Sequence, residues 1–287
     1  MTMHSFFPLE DGLLMAYRDV AAQGPETGPP VVCMHGLTRN HADFEDLIPH
    51  LTALGRRVIA PTVRGRGRSS YDPQPQRYAP TTYAGDVLAL LDSLGVNRPV
   101  AIGTSMGGIM AMIMAAIRPG VWSGVVLNDV GPELDPAGLA RIASYVGKSG
   151  PIADWAEAEA ACAAIGASAF PDADAAFWAA FALRTCRAEP DGRIVFDYDP
   201  AIAVAFAQPE GAAPPDLWPL YGALAAAPLL VVRGALSDLL APATVARMAA
   251  AVPDATAVEI PRVGHAPFLT EDVSLSALRT FLGRCSI

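Results

Sequence analysis

The stretch "VAIGTSMGGIMAM", Val100–Met112, runs apolar to Gly103, carries one hydroxyl at Ser105, then turns apolar again. The first run is short, continuous and uncharged, as in a strand buried on both faces of a sheet. The second has the length and composition to open a helix. Between them Gly103 and Gly107 flank Ser105 in the pattern G-x-S-x-G. The bare pattern is a weak signal. Set between a strand and a helix, it describes a bend that pushes one serine into the open. A residue on such a bend is held in a strained conformation costing about 1–3 kcal/mol. The glycines remove side chains that would collide with the neighbouring strand and helix.

Working outward, the same alternation recurs. "GLLMAYRDV" (12–20), "PPVVCMHG" (29–36), "RRVIAPTV" (56–63), "WSGVVLNDV" (122–130), "APLLVVRG" (227–234) and "ATAVEIP" (255–261) read as strands. "HADFEDLIPHLTALG" (41–55), "TTYAGDVLALLDSLG" (81–95), "MGGIMAMIMAAIRPG" (106–120) and "APATVARMAAAVP" (241–253) have apolar residues at helical spacing and end at Gly or Pro. Strands alternating with helices imply an α/β fold with a mostly parallel sheet covered on both faces. One segment breaks the rhythm. From Gly131 to Ala227 the chain is Ala-rich and helical, with no clear core strand, and prolines at 209, 214, 215 and 219 crowd its far end. Far too long for a loop, it reads as a helical insertion or lid. The expected organisation is a core of 1–130 plus 228–287 and a cap of 131–227.

The 287 residues are 52% hydrophobic and 17% charged, enough apolar material for a large core. A net charge of −9 argues against nucleic acid or an anionic membrane surface as partner. The beginning "MTMHSFFPLEDG" has no basic region followed by an apolar run, and Cys33, Cys162, Cys186 and Cys285 form no C-x-x-C pair. The expectation is a cytoplasmic protein with reduced, mostly buried thiols. His35, His41 and Asp43 lack metal-ligand spacing, so neither a metal nor a cofactor is expected. The sequence carries no reading of oligomeric state.

A serine becomes a nucleophile only with a base beside it. His4 falls in the N-terminal tail and His50 within a helix, both expected at the surface; His41 is expected in a surface or capping role. His265, in "RVGHAPFLTED", follows the last expected strand and opens at the same carboxyl edge as the Ser105 turn. It is the expected base. The acid partner is expected at Asp238, in "VVRGALSDLLAP", four residues past a strand-ending glycine; Asp129, at the end of "VVLNDV", is the rival. The order Ser105, Asp238, His265 is one of the known orders for this triad. Backbone N–H groups of Leu37, in "VVCMHGLTRN", and of Met106 are the expected oxyanion donors, with His35 shaping the loop.

Taken together, "HGLT" (35–38), "RGRGRS" (64–69), "GTSMGG" (103–108), "RGALSD" (233–238) and "GHAPF" (264–268) resemble the α/β-hydrolase superfamily along nearly the whole chain. The resemblance implies an eight-stranded, mostly parallel sheet with a cap inserted after the sixth strand. It implies Ser105 as nucleophile, His265 as base, Asp238 as acid, and Leu37 and Met106 as oxyanion donors. The chain departs at Thr62, where many relatives have Asp, at Arg66, where they have His, and at Thr104, often His elsewhere. Serine at the elbow disfavours the branches that use Asp there.

The expected activity is that of a carboxylic ester hydrolase, esterase or lactonase, acting on a small-molecule ester or lactone through an acyl-enzyme. C–C bond hydrolysis, perhydrolysis and a ligand sensor with a slow triad are the alternatives. Phe177, Phe181 and Arg184 share one helical face in "AAFWAAFALRTCR" and are candidate pocket residues. Arg184, Arg187 or Arg39 is a candidate to bind a substrate carboxylate.

Overall fold

The computed structural model describes residues 4–148, 150, 152–206 and 216–285. Eight strands build the main sheet: β1 (Ser5–Pro8), β2 (Leu14–Val20), β3 (Val31–Met34), β4 (Val58–Pro61), β5 (Val100–Thr104) and β6 (Gly124–Asn128), then, after the insertion that contains β7 (Cys186–Ala188) and β8 (Ile194–Phe196), β9 (Leu229–Gly234) and β10 (Ala255–Ile260). Their order is β1-β2-β4-β3-β5-β6-β9-β10. The β1–β2 and β2–β4 pairs are antiparallel and the remaining pairs parallel. The "tail" of the sequence reading is therefore part of the sheet. His4, at its start, lies against the His41 ring with centroids 4.8 Å apart.

Both faces of the sheet are buried, which is why the central strands read as unbroken apolar runs. Successive residues alternate sides. Ala101, Val125, Leu127 and Val231 face a core shared with α2 (Pro80–Ser93) and α3 (Met106–Ile117). Val100, Ile102, Val126, Leu230 and Val232 face the other, with Leu51 of α1 (Ile48–Ala53) and with Leu278 and Phe281 near the C-terminus. Two glycines of the opening motif are dictated by contact. A Cβ on Gly107 would stand 2.1 Å from the Met34 carbonyl oxygen, and one on Gly103 would stand 2.5 Å from the Gly107 backbone. Any side chain there would pry α3 off β3 and β5.

Between β6 and β9 the chain leaves the sheet. The insertion contains α-helices Pro136–Tyr145, Trp155–Gly166, Ala175–Thr185, Ile202–Phe206 and Trp218–Gly222. The β7–β8 hairpin, which the helical reading omits, turns at Asp191-Gly192, with Gly192 at φ 87°. Ile152, Ala158, Cys162, Ala182, Cys186 and Ile194 form a separate small core there. Pro209, Pro214 and Pro215 lie outside the described residues. All four cysteines are free and buried. Among the described residues no helix is long and apolar enough to cross a membrane.

Candidate active site

Ser105 stands between β5 and α3 with φ 52° and ψ −118°, a conformation L-residues rarely adopt. Its backbone is pinned: its N–H donates to the Asn128 carbonyl at 3.0 Å, and its carbonyl accepts from Gly108 N–H at 2.8 Å. The residue occupies the N-cap of α3, yet its hydroxyl makes no capping bond. The hydroxyl instead meets His265 Nε2 at 2.9 Å. His265 sits after β10 in a loop tied down by Asn128, whose side-chain amide donates to the Pro267 carbonyl at 2.8 Å and to Thr104 Oγ1 at 3.0 Å. Asn128 thus joins the serine strand to the histidine loop. The sequence reading passed over it.

The acid on the imidazole is Asp129, not Asp238. His265 Nδ1 lies 2.8 Å from Asp129 Oδ2, and the Asp129 side chain is fully buried. Its two oxygens are otherwise claimed by the β9 loop: Gly234 N–H donates to Oδ1 at 2.8 Å and the Ser237 hydroxyl to Oδ2 at 2.6 Å. The partners assign the imidazole tautomer: Nδ1–H to the carboxylate, leaving Nε2 to accept the serine proton. Asp238 points elsewhere. Its carboxylate takes the Arg141 guanidinium edge-on, Nε to Oδ2 at 2.5 Å and Nη2 to Oδ1 at 2.9 Å, and that pairing holds its carboxyl below the usual range. The reason lies in register. Thr104 and Asn128 pair across β5 and β6, so Ser105 and Asp129 each leave the sheet one residue beyond the same rung. Asp238, four residues beyond Gly234, has enough chain to turn away.

The other expected residues divide. The amides of Leu37 and Met106 have no acceptor among the described residues, and Met106 N–H is one of the unpaired donors of a helix start. The Leu37 loop is held against Ser105: a Cβ on Gly36 would lie 3.8 Å from the Ser105 Cβ. Arg66 fixes that loop, donating from Nε to the Leu37 carbonyl at 2.9 Å while Nη1 reaches the Arg64 carbonyl and Tyr83 hydroxyl, both at 2.7 Å. The departure at this position is therefore structural.

A cavity of about 130 Å³ opens above Ser105, walled by Ile142, Ile165, Phe170, Phe181, Phe196 and Phe268, most of them from the insertion. Arg39 lines it, but Asp43 binds its Nε at 2.9 Å and Nη2 at 2.5 Å, Thr185 accepts from Nη1, and Phe181 stacks on it at 4.2 Å. Phe177 and Arg184 do not line this cavity; they border an outer groove behind Phe170, Phe181 and Phe268, where Arg184 pairs with Asp46 at 2.5 Å. Arg187 faces Glu189 at 2.7 Å and Asp197 at 3.2 Å, also outside. Arg141 and Tyr145, which the sequence reading passed over, line the cavity.

His35 and His41 are buried framework residues. His35 Nε2 accepts from Val63 N–H at 3.1 Å and its Nδ1 meets the Gly36 carbonyl at 2.8 Å. His41, expected near the surface, packs inside with Nδ1 2.6 Å from Thr62 Oγ1. Burial pushes both from the ordinary 6.5 down to about 3. Between those values the unfolded chain carries protons that the folded chain refuses, so stability falls as pH drops from about 6.5 toward 3. Each ring contributes up to about 1.4 kcal/mol per pH unit in that window. Urea unfolding at pH 7, 6 and 5 is expected to show this slope, reduced by about one proton's share in His41→Gln. Equal slopes in the two proteins would show that His41 is not held neutral.

Comparison with known proteins bears on the fold and the family. The α/β hydrolase fold family matches residues 29–272, and the chain belongs to that family. It is similar to an α/β hydrolase from Novosphingobium aromaticivorans of known crystal structure, 43% identical with a TM-score of 0.91 over 98% of both chains. It is 35% identical to the 3-hydroxybutyrate-oligomer hydrolase of Cupriavidus necator over 93% of this chain and 92% of that one. It is 27% identical to the 2-(acetamidomethylene)succinate hydrolase of Mesorhizobium japonicum over 89% and 88%.

Proposed function

We propose that this chain is a serine carboxylic-ester hydrolase acting on small esters or lactones, with residues 131–227 as a cap over the site. The reading rests on one observation: Asp129, His265 and Ser105 form a continuous hydrogen-bonded line of 2.8 and 2.9 Å. That line ends at the serine on the strained turn. His265 Nε2 takes the Ser105 proton as Oγ bonds to the substrate carbonyl carbon. The imidazolium that forms is stabilised by the buried Asp129 carboxylate. The carbonyl oxygen becomes an oxyanion facing the free N–H groups of Leu37 and Met106, each such donor typically worth about 2.7–4 kcal/mol of barrier. Collapse expels the alcohol, which takes the proton from His265, and leaves an acyl ester on Ser105. Water, deprotonated by the same Nε2, attacks this ester and releases the acid, and Ser105 recovers its proton.

The 3-hydroxybutyrate-oligomer hydrolase supports an ester substrate, because hydroxy acids join to one another through ester bonds. The cavity's small volume and apolar wall suit a short acyl chain. The expected result is steady turnover of p-nitrophenyl butyrate, with a fluorophosphonate adding one mass equivalent to the Ser105 peptide and stopping turnover in proportion. Labelling of another residue, or no hydrolysis of butyrate esters or butyrolactones, would remove this reading.

A further inference from the structure

The aspartate at the expected acid position is not idle: it holds a cation at the cavity wall. Asp238 occupies the Nε–Nη2 edge of Arg141, at 2.5 and 2.9 Å. A guanidinium has five N–H donors, and this pairing uses two, leaving the Nη1–Nη2 end of the fork without a carboxylate. Arg141 lines the cavity over Ser105, whereas Asp238 does not border it. Tyr145, one helical turn on from Arg141 in Pro136–Tyr145, lines the cavity too and sets its hydroxyl beside the same guanidinium.

The charge balance of the cavity differs from that of the molecule. The whole chain carries −9. Among the described lining residues the charged pairs are Arg39, which Asp43 holds inside the cavity wall, and Arg141, which Asp238 holds from outside it. Arg141 is paired with Asp238 in the same way, but that partner lies outside the lining, so what Arg141 brings to the cavity beside the nucleophile is its remaining N–H donors. A planar fork with an open edge, steadied from behind, is the arrangement that binds a carboxylate with two parallel hydrogen bonds.

We propose that Arg141, positioned by Asp238 and assisted by the Tyr145 hydroxyl, binds a free carboxylate on the substrate, so that the preferred esters are acidic ones. This inference rests on the ester-hydrolase reading above and narrows its substrate class. It also gives a role to Asp238, which the imidazole does not use.

The test uses the full chain and two matched pairs of esters. Mono-p-nitrophenyl glutarate against p-nitrophenyl butyrate places the carboxylate on the acyl side; carboxymethyl butyrate against ethyl butyrate places it on the alcohol side. In wild type, kcat/KM is expected to favour the acidic member of at least one pair. Arg141→Gln is expected to lower that acidic-to-neutral ratio about 30-fold, mainly through KM, and Arg141→Lys to restore part of it. Asp238→Asn is expected to lower the ratio in the same direction by less, because the fork loses its support. A ratio that does not move in Arg141→Gln for either pair, with neutral esters still cleaved, would overturn the carboxylate site and leave the hydrolase reading standing. No turnover of any of the four esters would overturn both.

Discussion

Asp129→Asn is expected to lower kcat on p-nitrophenyl butyrate by about 10⁴-fold at neutral pH, while Asp238→Asn lowers it by no more than about tenfold. The difference follows from which nitrogen carries the proton. In the native site Asp129 Oδ2 accepts from His265 Nδ1, which leaves Nε2 unprotonated and 2.9 Å from the Ser105 hydroxyl. An Asn at 129 can still accept from Gly234 N–H, but an amide NH₂ turned toward the ring repels Nδ1–H. The ring then moves its proton to Nε2, where it faces the serine as a donor and can no longer take the serine proton. The carboxylate that stabilises the imidazolium is lost in the same substitution. Asn has the same shape and, like Asp, tolerates the φ of 56° found at this position, so the melting temperature should change little. Asp238 touches Arg141 rather than the ring, so its loss reaches the base only through the general field of the site. A large fall in Asp238→Asn with Asp129→Asn active would reverse the assignment.

That reversal of acids shows where sequence reading stops. The strands and helices of the core were legible because burial on both faces leaves an unbroken apolar signature, and "GTSMGG" and "GHAPF" lie within a residue or two of a strand end or loop whose direction the parallel topology dictates. Asp129 and Asp238 both follow such strands. The feature that separates them is distance past the last paired rung: Asp129 leaves β6 beside Asn128, the partner of Thr104, whereas Asp238 comes after a four-residue turn. That offset is countable in "VVLNDV" and "VVRGALSD", so the signal was present. What the sequence did not carry is that Ser237 and Gly234, not Asp238, would be the β9-loop groups to reach the site. The pocket was legible only in part. Helical spacing puts Phe177, Phe181 and Arg184 on one face, but which member points inward depends on how the Ala175–Thr185 helix sits against Phe170 and Phe268. Spacing within one helix holds no information on that. Arg141 was passed over for the same reason, since its position at the cavity is set by a partner 97 residues further along the chain.

Ser105→Ala and Ser105→Gly should both lower kcat by on the order of 10⁶-fold, because among the described residues the Ser105 hydroxyl is the group that His265 Nε2 meets at the end of the line from Asp129. Their stabilities should then part. The φ of 52° and ψ of −118° at residue 105 strain any residue with a Cβ, by about 1–3 kcal/mol, and alanine keeps the Cβ. Glycine removes the strain but loosens the unfolded chain, at a cost of about 0.4–1 kcal/mol. The backbone bonds that hold the turn, Ser105 N–H to Asn128 and Gly108 N–H to Ser105, are available to all three residues. The glycine variant should therefore be more stable than the alanine variant by about 1 kcal/mol, read as a higher urea midpoint at equal slope. A glycine variant less stable than the alanine one would mean that the turn stores no strain at residue 105. The strain matters because it does what a capping serine cannot. A serine at a helix N-cap ordinarily turns its hydroxyl onto the backbone amides of the first turn, and those amides would then be satisfied. At φ 52° the side chain is carried away from them and onto His265, so one backbone distortion takes the hydroxyl off the helix start and sets it 2.9 Å from the imidazole.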